Sequence, residues 1–203
     1  DADVDELFTI PANWLHLGTN LIAMEVHQVN STSSDIVWGM ALDATRPVTN
    51  CAQGTLVLNE VFANNESFTN AAGRTPDWVE LFNASTNAIE LSDLSLTDDV
   101  GTPRKWVFPP GRSLAPGDRL VVECDDSLPA SATNTGFGFS LGGDVVYLFK
   151  SQAQGGGMLD SIAFGLQTAD FSIGRIPDGA GSWALTLPTR ESANVPAGLG
   201  NAG

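Results

Sequence analysis

The side chains that could perform catalysis are few and do not form a catalytic arrangement. Residues 138–142, GFSLG, fit the G-x-S-x-G pattern of a hydrolase nucleophile, which requires a strand–turn–helix context and a later histidine. Here the motif falls in a segment that predicts a β-hairpin turning at Gly142-Gly143, and both histidines, His16 and His27, precede it. The match is interpreted as a coincidence, so no catalytic residue and no enzymatic activity are predicted.

Metal ligands are the next candidates. His16 and His27 lack the cysteines or aligned carboxylates of a zinc site, and His27 alternates with apolar residues on a predicted strand. Carboxylates that flank predicted strands offer the hard oxygen atoms that calcium requires. These residues are Asp77, Asp98, Asp99, Asp125 and Asp126. Two of their loops could meet and share a cation, or all could be solvated turn residues, and no D-x-D-x-D-G loop is present. No cofactor is predicted, with Ca²⁺ as the one candidate ion.

Tryptophan could bind a carbohydrate by stacking on a sugar ring. Of the five tryptophans, Trp78 and Trp106 lie within apolar strand patterns and are predicted to be core residues. Trp183 follows a glycine-rich turn and is the best exposed candidate for a ligand-binding residue.

The charge balance disfavours a nucleic-acid partner. The 203 residues include 24 acidic and 9 basic side chains, which give a net charge of −15. A phosphate-binding surface needs clustered cations, but only Arg104 and Lys105 adjoin. No apolar run approaches the roughly 20 residues of a membrane span. An acidic, lysine-poor chain is typical of secreted bacterial modules, so an extracellular or cell-surface location is expected.

Two cysteines, Cys51 and Cys124, could form a disulfide in an oxidising compartment. On the loop-entropy model, such a bond would stabilise the fold by ~4 kcal/mol. The alternative is two separate buried thiols, because the sequence gives no distance between the two Cα atoms.

Short apolar runs separated by turn residues predict the strands that would position the candidate side chains. About eight such runs follow residue 55, and no segment shows sustained helical periodicity. The pattern predicts an all-β chain with an immunoglobulin-like β-sandwich at residues 56–194. Residues 48–55 and 195–203 are predicted linkers, the second leading to a further domain. Residues 1–47 are predicted to be the C-terminal fragment of another β-sandwich, since the chain starts inside a patterned segment.

Two family resemblances sharpen this division. LHLGTNLIAMEVHQ followed by SSDIVWGMAL resembles the C-terminal end of galactose-binding-like jelly rolls, modules that accompany bacterial secreted and cell-surface enzymes. Residues 56–194 resemble a bacterial lamin tail domain. The matching pieces are LVLNEV, DWVELFN, LSDLSLTDD, WVFPPGRSLAPGDRLVV, FSLGGDVVYLF and SIGRIPDGAGSW.

The lamin tail resemblance implies an immunoglobulin-like sandwich that serves interaction rather than catalysis. Some animal versions bind DNA, a role that the present acidic sequence does not support. Bacterial versions accompany secreted nucleases, phosphatases and kinases as accessory modules. The family's polar strand positions are matched here by Asn59, Glu60, Glu80 and Asn83. Buried polar groups need partners, so these four residues are predicted to be structural, with a carboxylate-pair site as the alternative.

A faint internal repeat concerns the domain ends. Thr45, Arg46, Asn50 and Gly54 recur at the spacing of Thr189, Arg190, Asn194 and Gly198, which would fit domains that end alike. Together these observations predict a non-catalytic tethering, adhesion or spacing module of a multidomain bacterial protein. Its partners would be a protein or cell-surface polymer and neighbouring domains of the same chain. A calcium- or carbohydrate-binding module is the alternative.

Overall fold

The computed structural model describes residues 56–198, in which twelve β-strands and one 3-10 turn (Gln152–Gln154) form the regular structure. In chain order the strands are β1 (Leu56–Phe62), β2 (Asp77–Asn83), β3 (Ile89–Glu90), β4 (Ser95–Thr97), β5 (Trp106–Val107), β6 (Ser113–Leu114), β7 (Arg119–Cys124), β8 (Asp144–Phe149), β9 (Met158–Phe164), β10 (Ser172–Ile176), β11 (Ser182–Leu187) and β12 (Val195–Pro196). The predicted all-β, immunoglobulin-like sandwich is confirmed.

Two main sheets enclose the core. The larger has the order β12-β11-β10-β1-β2-β7, the smaller has the order β5-β4-β8-β9, and β3 and β6 form a separate pair. Successive side chains of a strand point to opposite faces. One face of the six-stranded sheet therefore places Leu58, Val61 and Val79 against Leu96 and Leu148 of the smaller sheet.

The opposite face of the six-stranded sheet, here called the outer face, is also covered. Phe62, Trp78 and Val121 form a second buried cluster there. Every residue of β1 is consequently buried, which explains why this strand is apolar at almost every position. The exceptions, Asn59 and Glu60, therefore carry their polar groups into a site without solvent.

Side chains complete the hydrogen bonding of the first half of β1. This strand pairs with β10 only at Glu60 and Val61, and its register with β2 shifts between Leu58 and Glu60. Asp160 of β9 accepts the Leu58 N–H at 2.9 Å, and Arg175 Nε of β10 donates to the Leu58 carbonyl at 2.8 Å. Arg175 and Asp160 also pair with each other at 3.0 Å. This ion pair therefore joins the two sheets at the point where β1 and β10 separate.

Two details of the sequence-based assignment are corrected. The predicted hairpin at Gly142-Gly143 is wrong, because β8 pairs with β4 and β9 and has no free edge for residues 137–141. Phe137 is instead buried, and the Phe139 ring packs on Phe164 at a centroid distance of 5.7 Å. Residues 195–196, assigned to a linker, form β12 and pair with β11.

Several predictions lie outside the described residues. They concern the β-sandwich fragment at 1–47, the linker at 48–55, residues 199–203, both histidines and Cys51. The Cys51–Cys124 disulfide therefore stays a prediction. Cys124 is fully buried, and burial raises the pKa of its thiol. No helix within residues 56–198 is long and apolar enough to span a membrane.

Candidate functional site

Two carboxyl groups lie next to each other inside the outer face. Glu60 of β1 and Glu80 of β2 are paired across the strands, so the pleat directs both side chains to the same face. Both are 0% exposed. Burying a carboxyl group is unfavourable unless hydrogen bonds replace its water, so the surrounding donors determine whether this pair can exist.

The donors come from the segment that follows β11. Residues 188–194, here called the strap, cross the outer face before the chain returns as β12. Thr189 donates its N–H to Glu60 Oε1 at 3.1 Å and its hydroxyl to Glu60 Oε2 at 2.9 Å. The Glu191 N–H donates to Glu80 Oε2 at 2.7 Å. Ser172 Oγ of β10 adds a bond to Glu60 Oε1 at 2.6 Å.

Asn59 and Asn194 connect this pair to the turn between β10 and β11. Asn59 Nδ2 donates to Glu80 Oε1 and to Asp178 Oδ1, both at 3.0 Å. Asn194 Nδ2 donates to the carbonyls of Asn59 and Arg175, again at 3.0 Å. The last residue of the strap is therefore bonded directly to the first strand of the sandwich.

The charges of the network are only partly compensated. Arg119 of β7 pairs with Asp178 and lies 3.8 Å from Glu80 Oε1, so one guanidinium group serves two carboxylates. Its Nε is buried and has no hydrogen-bond partner. Burial raises the pKa of Glu60, and the nearby Asp178 raises it further. Burial, with a smaller contribution from Glu60, raises the pKa of Glu80 to about 7.

This arrangement is suited to holding the strap rather than to chemistry. Each carboxyl oxygen of the pair accepts a hydrogen bond, and neither carboxyl group is open to solvent. Asn83, the fourth predicted structural residue, lies at the end of β2 and is also fully buried. Its Nδ2 donates to the carbonyls of Asn87 and Leu114, both at 2.8 Å, and so fixes the corner after β2.

Gly174 of β10 gives a direct test of strap docking. A Cβ atom at this position would lie 2.6 Å from Asn194 Nδ2 and 2.8 Å from its Cγ. We expect Gly174→Ala to displace the Asn194 amide and to lower the free energy of unfolding by about 1–3 kcal/mol, the usual cost of unmade buried hydrogen bonds. Chemical denaturation measures the loss. The matched control is Gly165→Ala, where a Cβ meets nothing within 4 Å, so equal stabilities of the two variants would contradict the prediction.

Three of the predicted metal ligands border one cleft. Asp77, Asp125 and Asp126 line a cavity of about 460 Å³. Burial, with the charges of Asp126 and Asp125, raises the pKa of Asp77 to about 6. Arg74 already pairs with Asp125 at 2.7 Å, and the Phe139 N–H donates to Asp77 Oδ2 at 3.2 Å.

The other two predicted ligands are engaged elsewhere. Lys105 pairs with Asp98 at 2.6 Å, while Asp99 accepts the Gly101 N–H at 2.8 Å and the Thr102 hydroxyl at 3.0 Å. Within residues 56–198, no group of three or more His, Cys, Asp or Glu side chains has an arrangement that could hold a metal ion. Calcium binding therefore stays a prediction.

Trp183 lies in β11 and is partly buried against the core. The Arg175 guanidinium carbon lies 4.8 Å from the centre of its ring, so one ring face is covered by a cation. A sugar that stacks on Trp183 would have to use the other face.

Arg119, Asp178 and the anchoring role of Thr189 and Asn194 were not predicted from the sequence. Nothing local in the sequence marks Arg119 or Asp178 as partners of buried glutamates. The signal for Thr189 and Asn194 was the repeated spacing at residues 45–54, which indicated a domain end without showing what it binds.

The sandwich and its closed polar network define an immunoglobulin-like module. A family model described as Lamin Tail Domain matches residues 49–165, more than half of the chain. The chain therefore belongs to the lamin tail domain family, a non-enzymatic family of immunoglobulin-like domains. No curated protein and no solved structure gives a significant match. Strands β10, β11 and β12, which follow the matched residues, complete the six-stranded sheet, and the strap connects β11 to β12.

Proposed function

We propose that the chain is a non-catalytic accessory module of a secreted or cell-surface multidomain bacterial protein. It tethers, attaches or spaces neighbouring parts of that protein, and residues 1–47 belong to a galactose-binding-like module. The observation that carries the proposal is the bonding of the strap to β1 through Asn194 and Asn59. A module that spaces its neighbours benefits when its first strand and its last segment have a fixed relative position.

The surface charge supports a partner that is not a nucleic acid. Among residues 56–198, every lysine and arginine except Arg112 and Lys150 lies in an ion pair with an acidic side chain. A cation that is already paired gains little from a phosphate group, because the existing partner must first be displaced. A protein or a neutral cell-surface polymer suits this surface better.

Single-molecule fluorescence energy transfer tests the spacing role. Fluorescent proteins are fused to both ends of the 203-residue chain, and the distribution of transfer efficiencies is measured. The proposal expects Thr189→Ala combined with Asn194→Ala to broaden the distribution, because both strap anchors are lost. The control is Thr102→Ala combined with Asn87→Ala, two loop residues whose hydrogen-bond partners lie outside the strap. Identical distributions for the anchor variant and the unsubstituted chain would reject the spacing role.

Calcium binding in the cleft is the second candidate: Asp77, Asp125 and Asp126 lie on its wall, and a cation would have to draw their carboxylates together, because they do not form a metal site as placed. It expects Ca²⁺ to raise the melting temperature, a chelator to reverse the rise, and Asp126→Asn to abolish it. Asp118→Asn, outside the cleft, should leave the rise intact. A melting temperature that does not change when Ca²⁺ is added would reject this candidate.

A carbohydrate ligand has a separate test. Retardation of the chain on polysaccharide gels, lost in Trp183→Ala and kept in the buried-core control Phe108→Leu, would favour a glycan-binding module. Unretarded migration would remove that alternative.

A further inference from the structure

We propose that an uncharged, apolar peptide segment of a partner protein adds to β9 as an extra strand of the smaller sheet. It would lie in the space between the free edge of β9 and the face of β11 and β12 that is turned toward the smaller sheet, here called the groove. In strand addition of this kind, backbone hydrogen bonds provide affinity and alternate side chains provide specificity. Binding in the groove does not require the strap, so failure of the spacing role would leave it intact.

The first wall of the groove is an unpaired strand edge. β9 is seven residues long, pairs with β8 on one side and ends the sheet β5-β4-β8-β9 on the other. The Ser161 N–H bonds to Asp160 Oδ1 at 2.9 Å, which indicates that it points away from β8. Alternate residues of an antiparallel strand direct their backbone groups to the same side, so the Ala163 N–H points there as well. Such an edge is a template for another strand.

The second wall is an apolar surface that stays open to solvent. Ile173 of β10 pairs with Leu185 of β11. On the next pair of strands, Leu187 pairs with Val195 of β12. Because Leu185 and Leu187 lie two positions apart, all of these side chains share the face of Ile173, which packs against the core. Leu185, Leu187 and Val195 are nevertheless 41%, 45% and 47% exposed, so the larger sheet extends beyond the cover of the smaller one.

An added strand would fit between these walls. Asp160 of β9 accepts hydrogen bonds from Leu58 of β1 and Arg175 of β10, so β9 lies above the junction of these two strands. Neighbouring strands of a sheet are about 4.8 Å apart, and packed sheets are about 10 Å apart. The next strand beyond β9 would therefore lie above β10 and β11. Every second side chain of that strand would point toward Ile173 and Leu185.

The charge of the groove favours an uncharged occupant. The chain has a net charge of −15, yet β9, β10, β11 and β12 contain only two charged residues, Asp160 and Arg175. These two side chains pair with each other at 3.0 Å. An acidic or basic segment would find no free counter-charge on these strands, whereas apolar side chains would gain free energy by leaving water.

A second copy of this chain does not fit as the occupant. A copy that added its own β9 would bring its larger sheet with it, because that sheet continues past β9 as β10, β11 and β12. These strands would enter the layer that β10, β11 and β12 of the first copy already occupy. A single extended segment has no second layer and avoids this collision, so the geometry favours a peptide over the edge of a folded sandwich.

A displayed library of random peptides, each about nine residues long to span β9, tests the groove with the 203-residue chain as the target. Selected peptides should carry apolar residues at alternate positions and slow the hydrogen exchange of the Ser161 and Ala163 amides. Leu187→Lys should weaken their binding roughly tenfold or more, because a lysine would be buried without a counter-ion. Ala163→Pro, which removes an edge N–H, should have a similar effect. Val100→Lys, at a turn residue that is 54% exposed, is the matched control and should bind like the unsubstituted chain.

Several results would overturn peptide binding in the groove. Selection could enrich no peptide, or the peptides could bind Leu187→Lys and Ala163→Pro as tightly as the unsubstituted chain. Slow exchange of the Ala163 amide in the free chain would show that the chain itself already fills the edge. Dimerisation or binding to phosphatidylcholine vesicles, if Leu187→Lys abolished it, would assign the surface to a second copy or to lipid. Selection and amide exchange need no variant, so rejection does not depend on how the variants fold.

Discussion

Arg175→Ala is expected to lower the free energy of unfolding by about 3–5 kcal/mol, the usual cost of removing one partner of a buried ion pair. The Arg175 side chain is 13% exposed, and its partner Asp160 is 9% exposed. The substitution would leave Asp160 charged without a counter-ion. It would also leave the Leu58 carbonyl without its donor and remove the cation from the Trp183 ring.

Two further variants separate charge from general damage at this position. Arg74→Ala breaks an ion pair whose arginine is 41% exposed, and such surface pairs contribute about 1 kcal/mol or less. Asp160→Asn in the Arg175→Ala background removes the unpaired charge and should restore part of the stability. Urea denaturation measures all of these losses. If Arg175→Ala lowers the free energy of unfolding no more than Arg74→Ala does, the Arg175–Asp160 ion pair is not a main source of stability.

Gly181→Ala is expected to cost about 3 kcal/mol or more, at the upper end for overpacking, because the added atom would meet backbone that cannot move aside. Its Cβ would lie 1.9 Å from the Ile176 carbonyl oxygen and 2.0 Å from the Ile176 carbonyl carbon. The turn between β10 and β11 would have to open. That turn presents Asp178 to Arg119 and Asn59, so the damage should extend to the outer face.

Gly157→Ala is the matched control, since a Cβ at that position meets nothing within 4 Å. Both substitutions reduce the conformational entropy of the unfolded chain by the same amount, so their difference isolates the contact in the turn. Thermal and urea unfolding of the two variants give the comparison. Similar stabilities would show that the turn can accommodate a side chain at residue 181. The close approach of Gly181 to the Ile176 carbonyl group would then not be required.

The strands could be predicted from the sequence because their signal is local. β1, β2 and β7 each combine a short apolar run with flanking turn residues, and their polar positions, Glu60 and Glu80, stood out against that background. The hairpin at Gly142-Gly143 was predicted wrongly for the same reason. Its local pattern was right for a turn, but the choice of partner for β8 depends on β4 and β9, which are distant in the chain.

The strap could not be predicted because its stabilising contacts are not local. The bond between Glu191 and Glu80 spans 111 positions, and the bond between Asn194 and Asn59 spans 135. A segment rich in polar residues is equally consistent with a solvated linker and with a set of donors for buried carboxyl groups. Only the fold distinguishes the two, since it places Glu60 and Glu80 beneath that segment.

The position of the strap has a mechanical consequence. All neighbouring strands from β1 through β10 and β11 to β12 are antiparallel, so β12 ends at the side of the sheet where β1 begins. A force that pulls Leu56 and residue 198 apart would therefore peel β12 from β11 one pair at a time and then lift the strap. Residues 188–198 would stretch to a total length of roughly 35 Å, that of an extended chain, before any strand of the core carried the load. Under load the module would thus first lengthen by release of β12 and the strap, and the core strands would unfold only later.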